Sequence, residues 1–132
     1  MIVVLDCNIW ISLTINDQLD FIATLSDNGT LIASCTTLRD EILNVLNRPK
    51  LTRFISHAYT DKVIGFHDLV TTMYKTGKIV SVTSDLKDDY LFALCKKCKA
   101  EYLVTGDKLL LDVAKYKTTE IISLTNFKLL IK

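Results

Sequence analysis

Asp6, Glu41, Asp89 and Asp107 sit at or just after the ends of apolar segments in this chain. Asp6 closes the run Met1-Ile2-Val3-Val4-Leu5, and Asp107 follows Glu101-Tyr102-Leu103-Val104-Thr105-Gly106. In an open α/β sheet, ligands bind outside the carboxyl ends of the strands. Carboxylates gathered there without an obvious His or Cys partner are the ligand set that a hard cation such as Mg²⁺ or Mn²⁺ prefers. The pattern points to metal-dependent phosphodiester chemistry. Each acid also has an ordinary explanation. A strand-end Asp often caps the next helix, and a helical Glu is usually solvated. Their combination is what favours a site, in which three or four carboxylates hold one or two divalent cations that activate water and clamp a phosphate.

The surrounding sequence sharpens each role. Asn8 can cap the helix that holds Trp10, which leaves Asp6 free to face a crevice. Glu41 lies between Leu38 and Ile42 on the inward edge of its helix, where an unpaired carboxylate is costly. Asp88 and Asp89 open a later helix, whose dipole favours anions, and one is expected to cap while the other serves the site. His57 and His67 fall away from every strand end and read as surface or partly packed residues.

Those acids must be positioned by alternating strands and helices. Ile2–Leu5 reads as a strand buried on both faces. A helix follows over 8–15, another from Asp17 to about Ser26 ended by Asn28-Gly29, and a second strand over Leu31–Ser34. Thr36 or Thr37 is expected to cap a helix that stops at Arg48-Pro49. One or two turns over 51–55 precede a long helix from Thr60 to Tyr74. Ile79–Val82 is predicted as a third strand and Tyr102–Thr105 as a fourth. Between them a helix runs from Asp89 to about Lys99. A short helix to Ala114, a fifth strand over Ile121–Ser123 and a helical turn over 125–130 complete the chain. The alternation argues for one α/β domain over residues 1–132, with a central parallel sheet of about five strands flanked by helices.

Composition limits the alternatives. The chain has 132 residues, 49% of them apolar, and a single Pro, which suits a compact core. The first apolar run meets Asp6 too early for a signal peptide, and no run is long enough to span a bilayer, so a cytoplasmic protein is expected. Cys7, Cys35, Cys95 and Cys98 read as reduced, mostly buried thiols, because the Cys95-x-x-Cys98 pair has no second pair or His to complete a zinc site. Sixteen basic residues nearly balance fifteen acids, so any nucleic-acid affinity must come from local placement. An Asp-x-Asp phosphatase motif is excluded by Asn8, a receiver domain lacks its paired acids, and there is no GxGxxG, P-loop or GxSxG.

At this point the chain resembles the PIN-domain nucleases, and more narrowly the VapC-type toxins of prokaryotic toxin–antitoxin pairs. Val3-Val4-Leu5-Asp6-Cys7-Asn8-Ile9-Trp10-Ile11-Ser12 is similar to the family's strand followed by Asp-Thr-Asn and Ser. Leu38 to Leu51, Asp85 to Leu94, and Tyr102-Leu103-Val104-Thr105-Gly106-Asp107-Lys108 resemble its later motifs, in order. The resemblance implies a Rossmann-like PIN fold and Mg²⁺- or Mn²⁺-dependent RNA cleavage leaving 5′-phosphate and 3′-hydroxyl ends. It also implies a cognate antitoxin and possible homodimerisation. Carried over by position, Asp6, Glu41, Asp89 and Asp107 are the catalytic acids, with Asp6, Asp89 and Asp107 on the principal metal. Asn8, Ser12, Asp88 and Thr105 support them. Arg39, Arg48, Lys50, Arg53 and Lys108 are candidates to hold the RNA backbone. The sequence departs from the family pattern at Cys7, Leu86, Lys87 and Leu109, which predicts weaker metal binding. Two other readings stay open: a PIN-fold module that binds RNA or protein without cutting, and a structure-specific DNA nuclease, for which 132 residues leave little room for extra helices.

Overall fold

A computed structural model describes residues 1–132. Strands and helices follow in the order β1 (Ile2–Leu5), α1 (Cys7–Ile15), α2 (Asp20–Asp27), β2 (Leu31–Ser34), α3 (Thr36–Leu46), α4 (Pro49–Thr52), α5 (His57–Val70) and β3 (Thr71–Met73). After a 3₁₀ turn at Leu86–Asp88 come α6 (Asp89–Cys98), β4 (Tyr102–Val104), α7 (Lys108–Val113), β5 (Lys115–Tyr116), β6 (Thr119–Ile122) and α8 (Leu124–Leu130). No helix is long and apolar enough to cross a membrane.

The six strands form one sheet in the order β3-β2-β1-β4-β6-β5, parallel except where β5 returns against β6. This is the expected α/β architecture with its central parallel sheet. β1 stands between β2 and β4, with Val4 opposite both Ala33 and Leu103. Chain order therefore reverses direction at β1, and the crevice beyond its carboxyl end is where such sheets bind ligands. Val3, Val4, Leu5, Leu103 and Val104 are fully buried beneath that crevice, packed with Leu91 and Leu94 of α6 and Leu38 and Ile42 of α3.

Three elements differ from the sequence expectation. The third strand is Thr71–Met73, not Ile79–Val82, and α5 ends at Val70. Thr71 donates its hydroxyl to the His67 carbonyl (2.7 Å), and its backbone turns to extended geometry to pair with Ile32 at the open edge of β2. The amides of Val82 and Thr83 are then taken by the Asp89 carboxylate rather than by a neighbouring strand. β5 is an added hairpin arm, turned at Lys117 with φ of 53°. The cap of α3 is also not a threonine hydroxyl: Cys35 occupies that position and makes no side-chain cap bond.

His67 is fully buried, where a surface or partly packed residue was expected. Its Nδ1 lies 2.9 Å from Asp68 Oδ1 and its Nε2 lies 2.8 Å from the Ser34 hydroxyl. Arg39 closes the network with two bonds to Asp68, at 2.8 and 2.9 Å. With Asp68 an anion beside Arg39, the ring carries its proton on Nδ1 and accepts from Ser34 on Nε2.

Candidate functional site: an acidic cleft at the strand ends

Beyond the carboxyl ends of β1 and β4 the surface falls into two adjoining lobes of about 600 and 560 Å³. Asp6, Asp40, Glu41, Asp85, Asp88 and Asp107 line them, with Arg48 and Lys87 as the cations. Four separate chain segments supply these acids. Asp6 and Asp107 follow the buried strands β1 and β4, Glu41 lies beside the buried Ile42 of α3, and Asp85 caps and Asp88 ends the 3₁₀ turn before α6.

Asp6 is the most enclosed of the set, at 4% exposure. It caps α1 itself: Oδ1 accepts the Cys7 amide at 2.6 Å. Asn8 was the expected cap, but it bridges to the other strand instead. Its Oδ1 accepts the Gly106 amide at 3.1 Å, and its Nδ2 donates to Asp6 Oδ2 at 3.3 Å. Thr105 donates its hydroxyl to Asp6 Oδ2 at 2.7 Å and accepts the Asp107 amide at 3.0 Å. Asn8 and Thr105 thus tie the end of β1 to the end of β4 and aim Asp6 along the crevice.

Asp107 caps α7 through the Leu109 amide. Glu41, on α3, accepts the Tyr90 hydroxyl at 2.6 Å, a bond to α6 that fixes its carboxylate across the cleft. Ser12 lies on the rim of the larger lobe.

The two acids that open α6 divide their work differently from the positional carry-over. Asp88 lines both lobes, whereas Asp89 is 1% exposed and lines neither. Asp89 Oδ1 accepts the amides of Val82 and Thr83 at 3.2 and 3.1 Å, and its Oδ2 is buried with no partner. Successive helical residues diverge by about 100°, and here that step turns Asp89 away from the cleft that Asp88 faces.

Electrostatics mark the cleft as strained. Burial raises the Asp6 carboxyl to about 6, against the opposing bonds from Thr105 and Cys7, with Glu41 and Asp107 adding repulsion. Burial and the charges of Asp6, Asp85, Asp107 and Glu41 push Asp88 to about 7. The Cys7 thiol is pushed up to about 12, first by burial and then by Glu41 and Asp6, so it stays protonated. Burial and the bond to Glu41 raise the Tyr90 phenol as well.

Of the basic candidates, Arg48 lines both lobes. Arg39 is engaged by Asp68 on α5, and Lys50, Arg53 and Lys108 line neither lobe. Two further residues of the cleft had no role expected of them from the sequence. Tyr90 is found only through a bond spanning 49 positions. Lys87 stood out as a departure from a motif and turns out to be a cleft cation.

The donor set is hard oxygen with no imidazole and no thiolate, which fits Mg²⁺ or Mn²⁺. Burial first, and the neighbouring carboxylates after it, raise the proton affinity of Asp6 and Asp88, a repulsion that a divalent cation would relieve. The acids surround the cleft without three of them closing on a single point.

Comparison with known proteins accords with this geometry. A family profile described as "PIN domain" matches residues 2–109. The crystal structure of VapBC2 from Rickettsia felis bound to a DNA fragment from their promoter contains a chain with the same fold. It superposes with a TM-score of 0.61 at 12% identity, covering 93% of this chain and 98% of that one. No curated protein matches the sequence.

Proposed function

This chain belongs to the PIN-domain family, and on that premise we propose that it is a divalent-metal-dependent endoribonuclease, the toxin of a toxin–antitoxin pair, acting as one domain over residues 1–132. The observation that carries the reading is the meeting of Asp6, Glu41, Asp88 and Asp107, from four separate segments, in one cleft at the point where strand order reverses. We assign Asp88 rather than Asp89 to the acid set, because Asp88 faces the cleft and Asp89 holds the 82–83 loop.

Asp6, Asp88 and Asp107 would hold the cation, with Glu41 completing the set. When bound, Mg²⁺ or Mn²⁺ supplies charge neutralisation on a phosphate and a water of lowered pKa. The protein's own residues prepare for that. Thr105, Asn8 and the Cys7 amide hold Asp6 in one orientation. The Tyr90 hydroxyl restrains Glu41, and such outer bonds set both the aim and the basicity of a ligand. Arg48 and Lys87 offer donors to the RNA phosphates on the same rim.

The Rickettsia felis neighbour is a VapBC2 assembly, which supports a protein antitoxin for this chain too. A groove of about 340 Å³ beside the cleft is lined by Ile15, Leu51, Phe54, Ile55 and Tyr59. Phe54 is 83% exposed there, suited to an amphipathic partner helix.

The test compares wild type with Asp6→Asn, Asp88→Asn and Asp89→Asn on mixed cellular RNA, with Mg²⁺, Mn²⁺ or chelator. Cleavage with metal that is lost in Asp6→Asn and Asp88→Asn supports the reading. Cleavage intact in Asp6→Asn overturns it. A binding module without cleavage is the second reading, favoured by acids that do not close on one point. Calorimetry showing no Mn²⁺ binding to wild type would select it.

A further inference from the structure

A further cavity, of about 280 Å³, lies against the second half of α6. Thr76, Lys78, Val80, Ala93, Lys96, Lys97 and Tyr116 line it, and no acid is among them. None of the three lysines makes an ion pair. Lys117 Nζ sits 5.5 Å from the centre of the Tyr116 ring. Lys115 is paired in register with Glu120 across the hairpin, which places a carboxylate on its strand neighbour.

Lysines in the last turn of a helix complement its dipole. That accounts for Lys96 and Lys97, but not for Lys78 on the facing segment, nor for the open space between them. Three uncompensated ammonium groups around one concavity, with the hydroxyls of Thr76 and Tyr116 beside them, form a receptor for a polyanion with spaced charges. The same helix opens on the acidic cleft at its other end, through Asp88. Lys96 is seven residues beyond Asp89, about 11 Å along the axis, a distance that a few nucleotides cover.

We propose that this cavity is a second RNA-binding site, gripping the phosphodiester backbone of the strand whose scissile bond lies in the acidic cleft. The proposal rests on the ribonuclease reading above. A cleft lined by carboxylates repels RNA, so holding the strand nearby on lysines supplies affinity that the cleft lacks. Contacts to phosphate position a strand without reading its sequence.

Binding is measured separately from cutting. The probe is a fluorescein-labelled mixed-sequence single-stranded RNA of about 15 nucleotides, titrated in chelator by anisotropy with the full chain carrying Asp6→Asn. Adding Lys78→Ala, Lys96→Ala and Lys97→Ala together is expected to weaken binding on the order of tenfold. It should also reduce the slope of log affinity against log salt by about 2, since each phosphate contact on a single strand contributes about 0.7. Thermal melts of both proteins confirm that the fold is kept, and Arg48→Ala with Lys87→Ala serves as the cleft control. Unchanged affinity and slope in the lysine variant overturn the proposal, whether or not the control loses affinity. A poly-glutamate competitor that binds through the same lysines while RNA does not also overturns it, and transfers the site to an acidic protein. Loss of the slope in a protein that never cuts RNA keeps the cavity and removes only the ribonuclease reading.

Discussion

Two polar networks sit on either side of α3, and they treat their carboxylates in opposite ways. Around His67, the Asp68 carboxyl is drawn down to about 2, chiefly by Arg39, and every polar atom of the ring has a partner. No cavity adjoins it. Around Asp6, carboxylates face one another, proton affinity rises, and an open cleft adjoins them. A Ser–His–Asp arrangement such as Ser34, His67 and Asp68 invites a catalytic reading, but Ser34 and His67 are both fully buried and reach no solvent. The satisfied network is a strut. The unsatisfied one keeps its repulsion, which a bound cation would relieve under the proposed function, and frustration of this kind is a mark of a site rather than a scaffold.

The largest effect that tests this contrast is Asp6→Asn. Asn keeps the helix cap but removes the charge, so cleavage is expected to fall at least about 100-fold, in line with the several kcal/mol that metal-held charge contributes. Without metal at pH 7.5 the same variant should be no less stable than wild type, since a carboxyl raised to about 6 is destabilising when ionised. A melt showing a clear loss of stability would mean that Asp6 is a strut after all.

The converse change is His67→Ala. It leaves a cavity against Trp10, whose ring centre is 5.1 Å from the imidazole, and strips Ser34 of its partner. A loss of about 3 kcal/mol in chemical denaturation is expected, with unchanged cleavage per folded molecule. Reduced cleavage at full folding would join the two networks into one.

Acidity separates the regions by sign. Burial lowers the His67 pKa below its ordinary 6.5, ahead of the opposing pull from Asp68. The unfolded chain therefore takes up the proton first, and stability falls as pH drops below about 6.5. Asp6 and Asp88 act the other way: the folded state binds their protons more tightly, so without metal their contribution to stability declines as pH rises from about 4 to about 7. Added Mn²⁺ should cancel the second trend and leave the first. Melting temperature followed from pH 4 to 8 in Asp6→Asn and in His67→Ala assigns each slope. A Mn²⁺ effect that survives in Asp6→Asn would place the cation elsewhere.

The cleft side of this contrast was visible in the sequence, because short apolar runs such as Ile2–Leu5 and Leu31–Ser34 read as buried strands. The residues that follow them were therefore at the rim. The third strand was misplaced because Thr71-Thr72-Met73 continues α5 without a breaker, while Ile79–Val82 has the stronger apolar run. β5 was missed because Lys117 makes its turn at positive φ without a Gly to announce it. The choice between Asp88 and Asp89 turns on a single helical step, and the burial of His67 depends on Ser34, 33 positions away. Neither leaves a mark in local pattern. The cleft was legible as a set of segments and not as a set of atoms.

The smallest expected effect concerns two arginines on or just beyond α3. Arg39 and Arg48 both stood as RNA contacts, yet one belongs to each network. Arg39→Ala removes a two-pronged but exposed pair with Asp68, which contributes about 1 kcal/mol at most after solvent screening. It should lower stability slightly, most visibly at low salt, and leave RNA affinity alone. Arg48→Ala has no ion pair to lose, so stability should hold while affinity for RNA falls a few-fold and the salt slope drops by about 0.7. Filter binding and melts on the two variants read both quantities. If Arg39→Ala weakens RNA binding as much as Arg48→Ala does, the strand crosses α3 towards α5, and the division between strut and site fails at that helix.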